Sequence, residues 1–177
     1  MTAHNLKLSY DDLYFLPVKK ENINAGWLDW MNNDEITKYL TAESKRYTAK
    51  DLQEYLVSNN SIVFLACYRK SDNIYLGNLR IYQLKPGILS FDRLIGDKSF
   101  HGLGYGTKLN KVAIDLCFQW FGAEWVVVGN HKANKASSIS KIKTGFAIAD
   151  DHLLAKLGLN LENAVYMNKE SYQEVRI

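Results

Sequence analysis

The segment FHGLGYGTKLNKV, residues 100–112, constrains this chain more than any other, because three of five consecutive residues are glycines and a helical pattern follows at once. Glycine replaces bulkier residues where the backbone must approach another group closely. A helix that begins at such a loop turns several free N–H groups and the positive end of its dipole toward the loop. The segment therefore predicts a strand, a tight loop at residues 101–106 (the glycine loop) and a helix starting near Gly104, with phosphate as the natural ligand of the loop.

Two standard phosphate motifs do not match the glycine loop. A dinucleotide fingerprint that begins at Gly102 requires glycine at position 107, which is Thr107. A P-loop would have to begin at His101 or Gly102, and neither start gives the required spacing. The residues alone therefore leave a glycine turn without a ligand open as the alternative.

The composition is that of an ordinary globular domain. Of the 177 residues, 47% are hydrophobic and 23% are charged, and no linker is visible, so we expect one domain over residues 1–177. A net charge of +3 is too small to favour nucleic acid as a partner and suits an anionic small molecule.

There is no signal-peptide pattern, and the longest apolar stretch, Ile62–Cys67, is far shorter than the ~20 residues that span a bilayer, so we expect a cytoplasmic protein without membrane contact. Cys67 and Cys117 lie in apolar segments without metal-type spacing, which predicts reduced core thiols and no metal.

Hydrophobic periodicity predicts an α/β domain with a largely antiparallel sheet. Two short helices are expected on either side of Asn32–Asn33 within Ala25–Leu40, and a third over Ala49–Val57 with Thr48 as its N-cap. Strands are predicted at Leu13–Val18, Ser61–Tyr68, Ile74–Gln83, Gly87–Ile95 and Trp125–Val128, and further helices run from the glycine loop to Gly122 and over Asn134–Lys143. One or two closing strands, including Ala164–Met167, complete the sheet.

Two motifs resemble the GNAT acetyltransferases. The pattern His101-x-x-Gly104-x-Gly106 resembles the acyl-CoA loop of that family, usually written Q/R-x-x-G-x-G/A, and departs from it only at His101. The block NKASSISKIKTGF, residues 134–146, resembles the family's next helix, N-x-x-S-x-x-x-x-x-K-x-G-F. With the matching order of elements, the resemblance covers nearly the whole chain. It implies the GNAT fold, a twisted, mostly antiparallel sheet of about seven strands flanked by helices, with two central strands splayed apart.

The resemblance implies acyl-CoA as the cofactor and direct attack of an amine within a ternary complex. A backbone bulge at Leu94–Gly96 would polarise the thioester carbonyl, and Asn134 would bind the pantetheine arm. The acyl group is acetyl or a short hydroxyacyl chain such as 3-hydroxybutanoyl, because the motifs identify CoA and not its cargo. The implied cofactor residues are Leu94, Ile95, Gly96, His101, Gly102, Leu103, Gly104, Tyr105, Gly106, Thr107, Asn134, Ser137 and Lys141.

Acyl transfer to an amine needs an uncharged amine, a polarised carbonyl and a proton for the leaving thiolate. The family often has a Glu as base where this chain has Ser90, which cannot act directly. Asp92 shares a strand face with Ser90 and is the preferred base, directly or through a water, with an ordinary ion pair as the alternative. His131, just after an apolar strand, is the second candidate base, and a plain surface histidine is its alternative. The family's usual acid, a Tyr, is replaced by Lys141, which either lies beside the cofactor or is a surface lysine.

The stretch IGDKSFHGLGYGTK resembles the family members that acylate amino groups on nucleotide-linked sugars, which implies a dTDP- or UDP-linked amino-deoxy sugar as acceptor. Protein N-terminal and small-amine (polyamine) acetyltransferases share a similar pattern and stay as an alternative, as does an acyl-CoA-binding module without catalysis. A homodimer is common in the family. The predicted acceptor residues are Trp27, Trp30, Asn32, Asn33, Asp34, Arg80, Ser90 and Asp92, with a core position open for the two indoles and a capped turn open for residues 32–34.

Overall fold

A computed structural model describes residues 7–19, 23, 25–40, 46–58 and 60–175 of the chain. Within these ranges the sheet has eight strands: β1 (Leu8–Tyr10), β2 (Leu13–Pro17), β3 (Ser61–Arg69), β4 (Tyr75–Lys85), β5 (Ile88–Ile95), β6 (Trp125–Val128), β7 (Ala147–Ile148) and β8 (Val165–Asn168). The helices are α1 (Ala25–Met31), α2 (Asp34–Thr37), α3 (Ala49–Ser58), α4 (Tyr105–Asp115), α5 (Lys135–Ile142), α6 (Asp151–Leu157) and α7 (Lys169–Val175). None of the helices in these ranges is long and apolar enough to cross a bilayer.

The strands follow the order β1-β2-β3-β4-β5-β6-β8-β7, and β5–β6 is the parallel pair among otherwise antiparallel neighbours in the described ranges. This confirms the predicted α/β fold with a mostly antiparallel sheet and flanking helices. The strand count is eight instead of about seven. The strand that the pattern did not predict, β1, has three residues, which are too few to show an alternation.

The polar residues that were predicted to divide and cap the N-terminal helices do so. Asn33 caps α2 by accepting a hydrogen bond from the N–H of Glu35 at 3.0 Å. Thr48 and Asp51 cap α3 reciprocally, because Thr48 Oγ1 accepts from the N–H of Asp51 and the Asp51 carboxylate accepts from the N–H of Thr48. Contacts of Trp27 with Phe64 of β3 hold these short helices over one face of the sheet.

The opposite face of the sheet is covered by α4. The helix continues as a π-helical turn over Leu116–Trp120, and Gly122, with φ of 64°, follows its end as predicted. Cys67 and Cys117 are free, buried thiols in this layer, which confirms their core position. The main apolar cluster between the strands and α4 includes Leu65, Leu79, Ile81, Phe91, Leu109, Val112 and Ala113.

The parallel strands β5 and β6 separate soon after they meet. They pair only at Ile88↔Trp125 and Leu89↔Val126, and β5 then continues to Ile95 without β6. The predicted splay of two central strands is therefore confirmed. We call the gap between residues 90–95 of β5 and the end of β6 the splay.

The bulge predicted at Leu94–Gly96 is wrong. β4 and β5 pair in regular register from Gln83↔Leu89 to Gly77↔Ile95. Next to these residues the register shift lies one strand away, between β3 and β4, where Cys67 pairs with Gly77 and Tyr68 with Tyr75. The physical reason is packing, because the extra residue, Leu76, turns into the core, and a Cβ on Gly77 would lie 1.8 Å from the carbonyl oxygen of Leu94.

The C-terminal part contains two helices that the pattern did not predict. α6 and α7 flank β8, which includes most of the stretch predicted as a closing strand. Asp150 caps α6, and Gly158 ends it in the left-handed region, so ordinary helix signals are present. Each helix has seven residues, which is too short for a hydrophobic period to stand out.

Candidate functional site

The glycine loop forms an open cradle at the N-terminus of α4. Gly102 and Gly104 have φ of 77° and 86°, and a Cβ on either would meet no protein atom within 4 Å. Gly104 is the N-cap and makes no side-chain capping bond, and its carbonyl accepts from the N–H groups of Thr107 and Lys108. The N–H groups of Tyr105 and Gly106 therefore precede the helical hydrogen bonds and point out of the helix end. This arrangement fits a phosphate group.

His101 ties the glycine loop to the end of β5. Its Nε2 lies 2.9 Å from the carbonyl oxygen of Ile95. Because a carbonyl only accepts, Nε2 carries the proton and donates. The histidine that departs from the family's Gln or Arg therefore still supplies a hydrogen-bond donor at this position.

The backbone of β5 presents alternate residues to the splay. The N–H of Gly96 donates to the carbonyl of Leu76 on β4 at 3.0 Å. Since backbone groups of an antiparallel strand alternate in direction, Leu94 also faces β4, whereas Arg93 and Ile95 face the splay. Of the three positions expected to offer an N–H to the cofactor, only Ile95 presents its backbone groups there.

The start of α5 lies at the other side of the splay. Asn134 is its N-cap and accepts from the N–H of Ser137 at 3.1 Å, so a further hydrogen bond to a ligand would come from Nδ2. Ser137 Oγ donates to Asn130 Oδ1 at 3.2 Å, just beyond β6. The cap and this bond fix α5 against the end of β6.

Lys141 is buried within this group, so its alternative as a surface lysine is wrong. It is 3% exposed, and its Nζ donates to Asn130 Oδ1 at 2.5 Å and to Ser137 Oγ at 2.8 Å. Burial and, to a smaller extent, the nearby charge of Arg93 lower the pKa of Lys141 to about 7, against the opposing effect of Asp92. The lysine therefore changes protonation near neutral pH.

Arg93 is a further polar residue on the α4 side of β5. It enters the wedge between β5, α4 and α5, where Nε donates to Asn110 Oδ1 at 2.6 Å and Nη2 donates to Ser140 Oγ. A Cβ on Gly106 would lie 2.9 Å from Nη1, so the guanidinium sits directly beneath the first turn of α4. Burial lowers the pKa of Arg93 to about 10. The available signal was Asn110, a polar residue in the apolar stripe of α4.

A set of polar side chains lies on the sheet face below α1–α3, and we call it the polar face: Asn78, Arg80, Tyr82, Ser90 and Asp92. Asp92 approaches Arg80 Nη1 at 3.3 Å and the hydroxyl of Tyr82 at 3.4 Å. Its side chain is 55% exposed, yet desolvation raises its pKa against the opposing effect of Arg80. A carboxylate that is half exposed and still partly desolvated by the surrounding protein lies in a cleft. This position fits a general base.

The Arg80 side chain is held rigidly on the polar face. Nε donates to Ser61 Oγ and Nη1 to the hydroxyl of Tyr55, both at 2.9 Å, and the guanidinium stacks on Tyr82 with 4.3 Å to the ring centroid. The predicted alternative for Asp92, an ion pair, is thus present as a contact to a fixed arginine. Ser90 is 1% exposed and lies beneath this layer, so the structure does not offer it to an acceptor.

Trp30 forms the wall of the cleft above the polar face. Its indole covers Gly96, where a Cβ would lie 1.8 Å from the ring, and it packs on Tyr75 at 4.5 Å. The Tyr75 hydroxyl donates to Asn78 Oδ1. Within the described residues, Asn78 Nδ2 is the buried side-chain polar atom without a hydrogen-bond partner. An orphaned buried donor at this place fits a polar ligand.

The other predicted acceptor residues have structural roles. Trp27 is buried against Tyr55 and Phe64. Asn32 uses both ends of its amide on the backbone of Tyr47, and Asn33 is the cap of α2. Asp34 is exposed in the first turn of α2. The alternatives of a core indole and a capped turn are therefore the ones observed.

His131 lies at the rim. Its Nδ1 accepts from the N–H of Ala133 at 3.2 Å, and its ring centroid lies 5.6 Å from that of Tyr39, which follows α2. The histidine is exposed, and this ring contact brings the end of β6 next to the α1–α2 side of the cleft. It remains a second candidate base, placed at the edge of the cleft and not on its floor.

Neither cysteine is suited to nucleophilic catalysis. Burial raises the pKa of both Cys67 and Cys117 to about 12, so each stays a neutral thiol at physiological pH. The side chains of Tyr105 and Tyr166 have partners elsewhere. The Tyr105 hydroxyl accepts from Arg69, and Tyr166 packs on Trp125.

Comparison with known proteins agrees with this geometry. A family model described as an acetyltransferase (GNAT) domain matches residues 12–147. An aminoglycoside acetyltransferase in complex with coenzyme A and kanamycin superposes with a TM-score of 0.75 at 16% identity, covering 93% of this chain and 99% of its own. Spermidine N-acetyltransferase from Vibrio cholerae, in complex with CoA and spermine, gives a TM-score of 0.73 at 15% identity over 92% and 98% of the two chains. A GNAT-family acetyltransferase from Bacillus anthracis gives 0.71 at 11% identity over 93% and 99%.

Proposed function

The chain belongs to the GNAT acetyltransferase family, whose members transfer acyl groups from acyl-CoA to amines, and from this premise we propose that its acceptor is an amino-deoxy sugar carried on a nucleotide diphosphate. Acetyl is the expected acyl group, and a short hydroxyacyl group such as 3-hydroxybutanoyl is the second choice. The acceptor is a dTDP- or UDP-linked sugar.

The observation that carries the acyl-transfer reaction is the meeting of the glycine loop, the splay and the polar face at one strand, β5. The loop offers N–H groups to a phosphate at the N-terminus of α4, and the splay offers the backbone N–H groups of Arg93 and Ile95. Asp92 of the same strand lies on the other face. An extended thioester in the splay would thus have its carbonyl near the cleft that holds the base.

The residues divide the reaction between them. Acyl-CoA supplies, when bound, a thioester carbonyl that an amine can attack. Asp92 takes the proton of the acceptor amine, and the raised pKa of its carboxylate suits this task. Lys141, which is buried next to the splay, gives a proton to the departing sulfur. No covalent enzyme intermediate is needed.

The polar face supports an anionic acceptor. Arg80 is fixed there by Ser61 and Tyr55 and stands beside the base. The structural neighbours were crystallised with kanamycin and spermine, and such polycations would meet this cation at close range. A sugar nucleotide instead brings phosphates for Arg80, hydroxyls for the amide of Asn78 and a base or sugar ring for Trp30.

The test is thiol release from acetyl-CoA and 3-hydroxybutanoyl-CoA with a panel of acceptors: UDP- and dTDP-linked amino sugars, kanamycin, spermidine and a peptide. Turnover with a sugar nucleotide is expected, and Arg80→Gln should raise the KM for that acceptor about tenfold with little effect on the KM for acetyl-CoA. Turnover with kanamycin, spermidine or peptide alone would refute the proposed sugar-nucleotide acceptor. CoA binding without any turnover would favour a binding module.

A further inference from the structure

The wedge beneath the glycine loop contains two buried basic side chains with neutral hydrogen-bond partners. Arg93 donates to Asn110 and Ser140, and Lys141 donates to Asn130 and Ser137. Buried charges in proteins are normally paired with an opposite charge, because desolvation of an ion is costly. The arrangement therefore lacks a counter-anion in the layer where it is buried.

The position of the pair indicates where the anion comes from. The Arg93 guanidinium lies under Gly106, whose N–H is one of the groups that point out of the end of α4. Lys141 lies at the other end of the wedge, next to the splay. An anion held by the glycine loop is thus close to Arg93, and the charge of Arg93 in turn acts on Lys141.

We propose that Arg93 and Lys141 act as one buried dication that the phosphates of acyl-CoA complete, so that Arg93 strengthens phosphate binding from beneath the loop and Lys141 takes up a proton from solvent as the cofactor binds. The proposal rests on the proposed function, because it uses the same cofactor site. It also explains how Lys141, the proposed acid, becomes protonated. Binding of the cofactor, whose sulfur later needs a proton, causes Lys141 to take one up.

The surroundings of Lys141 determine the direction of the proton transfer. Among the described residues, the charged groups that act on it are Arg93 and Asp92, both on β5, while Asn130 beyond β6 and Ser137 on α5 are neutral, as is Asn110 of α4, which reaches the pair through Arg93. With so little of Lys141 exposed, a ligand can remove hardly any more water from it. The added negative charge therefore dominates and favours the ammonium form.

The first experiment is titration calorimetry of the full-length protein with acetyl-CoA at pH 8, repeated in buffers of different ionisation enthalpy. The dependence of the observed heat on the buffer gives the number of protons taken up. Starting from a pKa of about 7, a rise of one unit on binding corresponds to an uptake of about 0.4 proton per site. S-acetylpantetheine, which lacks the phosphates, should bind without uptake.

Three variants separate the proposal from a merely structural role. Arg93→Gln should weaken acetyl-CoA about tenfold and leave S-acetylpantetheine unchanged, Arg93→Lys should recover most of that loss, and Lys141→Met should abolish proton uptake. Lys111→Met, which removes an exposed lysine from α4, controls for net charge. Thermal unfolding checks that each variant is folded.

The outcomes that overturn the proposal differ from those that overturn the function. If the unmodified protein binds acetyl-CoA without proton uptake, or if Lys141→Met shows equal uptake, cofactor binding is not coupled to protonation of Lys141. Equal weakening of both thioesters by Arg93→Gln would assign Arg93 to packing alone. A protein that does not bind acetyl-CoA at all would instead refute the proposed function.

Discussion

The two faces of β5 carry sites of different electrostatic character. On the α4 side, Arg93 and Lys141 are buried basic side chains whose hydrogen-bond partners are neutral. On the α1–α3 side, Asp92 and Arg80 are neighbours of opposite charge, and the carboxylate is half exposed. The first face is suited to hold an anion, and the second to accept a proton from an amine beside a fixed cation.

The faces also differ in how they are built. On the α4 side, the phosphate cradle consists of backbone groups of one continuous segment, the glycine loop and the first turn of α4. The acceptor side depends on side chains from α1, α3, β4 and β5, which are far apart in the sequence. Substitution at the loop should therefore disable one site completely, whereas substitution on the polar face should change rates or acceptor affinity one residue at a time.

Gly104→Glu is expected to have the largest effect, a loss of measurable CoA binding. The side chain would fill the open cradle and bring a negative charge to the end of α4. Gly122→Glu is a matched control, since Gly122 also has a positive φ and open space at its Cβ but follows the other end of the helix. Isothermal titration should show binding in the control only. Binding retained by both variants would mean that the loop is not the phosphate site.

Asp92→Asn tests the opposite face. We expect kcat to fall about 100-fold while the Kd for CoA stays the same, because a positioned base typically contributes that much. The raised pKa of Asp92 places the acid limb of the pH–rate profile above the carboxylate's ordinary 3.8, and activity rises as pH passes through it. The variant should lose that limb.

Asp72→Asn is the control for Asp92→Asn, because Asp72 forms an exposed pair with Arg69 at the β3–β4 turn. It should leave kcat and the pH profile unchanged. If Asp92→Asn retains the unmodified profile, the base is His131 or a water, and the polar face serves only to bind the acceptor.

Lys141→Met tests whether the cofactor side is destabilised by its own charge. The pKa of Lys141 is about 7 in the folded chain against an ordinary 10.5, so the unfolded chain binds this proton more readily between those values. The contribution of Lys141 to stability therefore rises from pH 7 toward 10.5 and is least favourable below pH 7. Urea unfolding at pH 6.5 and 9 should show the variant to be more stable at pH 6.5, by on the order of a few kcal/mol, and less dependent on pH. An unchanged pH dependence would show that folding does not lower the pKa of Lys141.

The sequence predicted the parts of the site that depend on backbone patterns. The glycine loop, the division of the first helices and the cap at Thr48 follow from local residue chemistry, and a capped turn at residues 32–34 was one of two open alternatives. The splayed strands were implied by the resemblance to the GNAT family. The bulge was misplaced by one strand, because the need of Leu76 to enter the core depends on packing between β3 and β4. Local pattern contains no information on such contacts.

Side-chain partners were harder to predict. The sequence indicated that Asp92 lies on one strand face, but not that Arg80 would be fixed beside it by α3. Arg93 and Lys141 are 48 positions apart and meet only when α5 packs on β5 and α4. Asn32 was predicted as a ligand residue, although its amide holds Tyr47, because an amide pattern does not distinguish an internal partner from a ligand.

Substitutions of His101 should have the smallest effect on the Kd for CoA. They test whether a side-chain hydrogen bond helps to position the glycine loop. Its Nε2 donates to the carbonyl of Ile95, so His101→Gln keeps a donor and should change the Kd for CoA by about twofold or less. His101→Leu removes the donor and should weaken binding about fivefold, the worth of one neutral hydrogen bond. Titration of both variants with CoA measures the ratio. If the two variants bind equally, the bond to Ile95 does not position the loop, and the backbone of residues 102–106 alone determines the affinity for the cofactor.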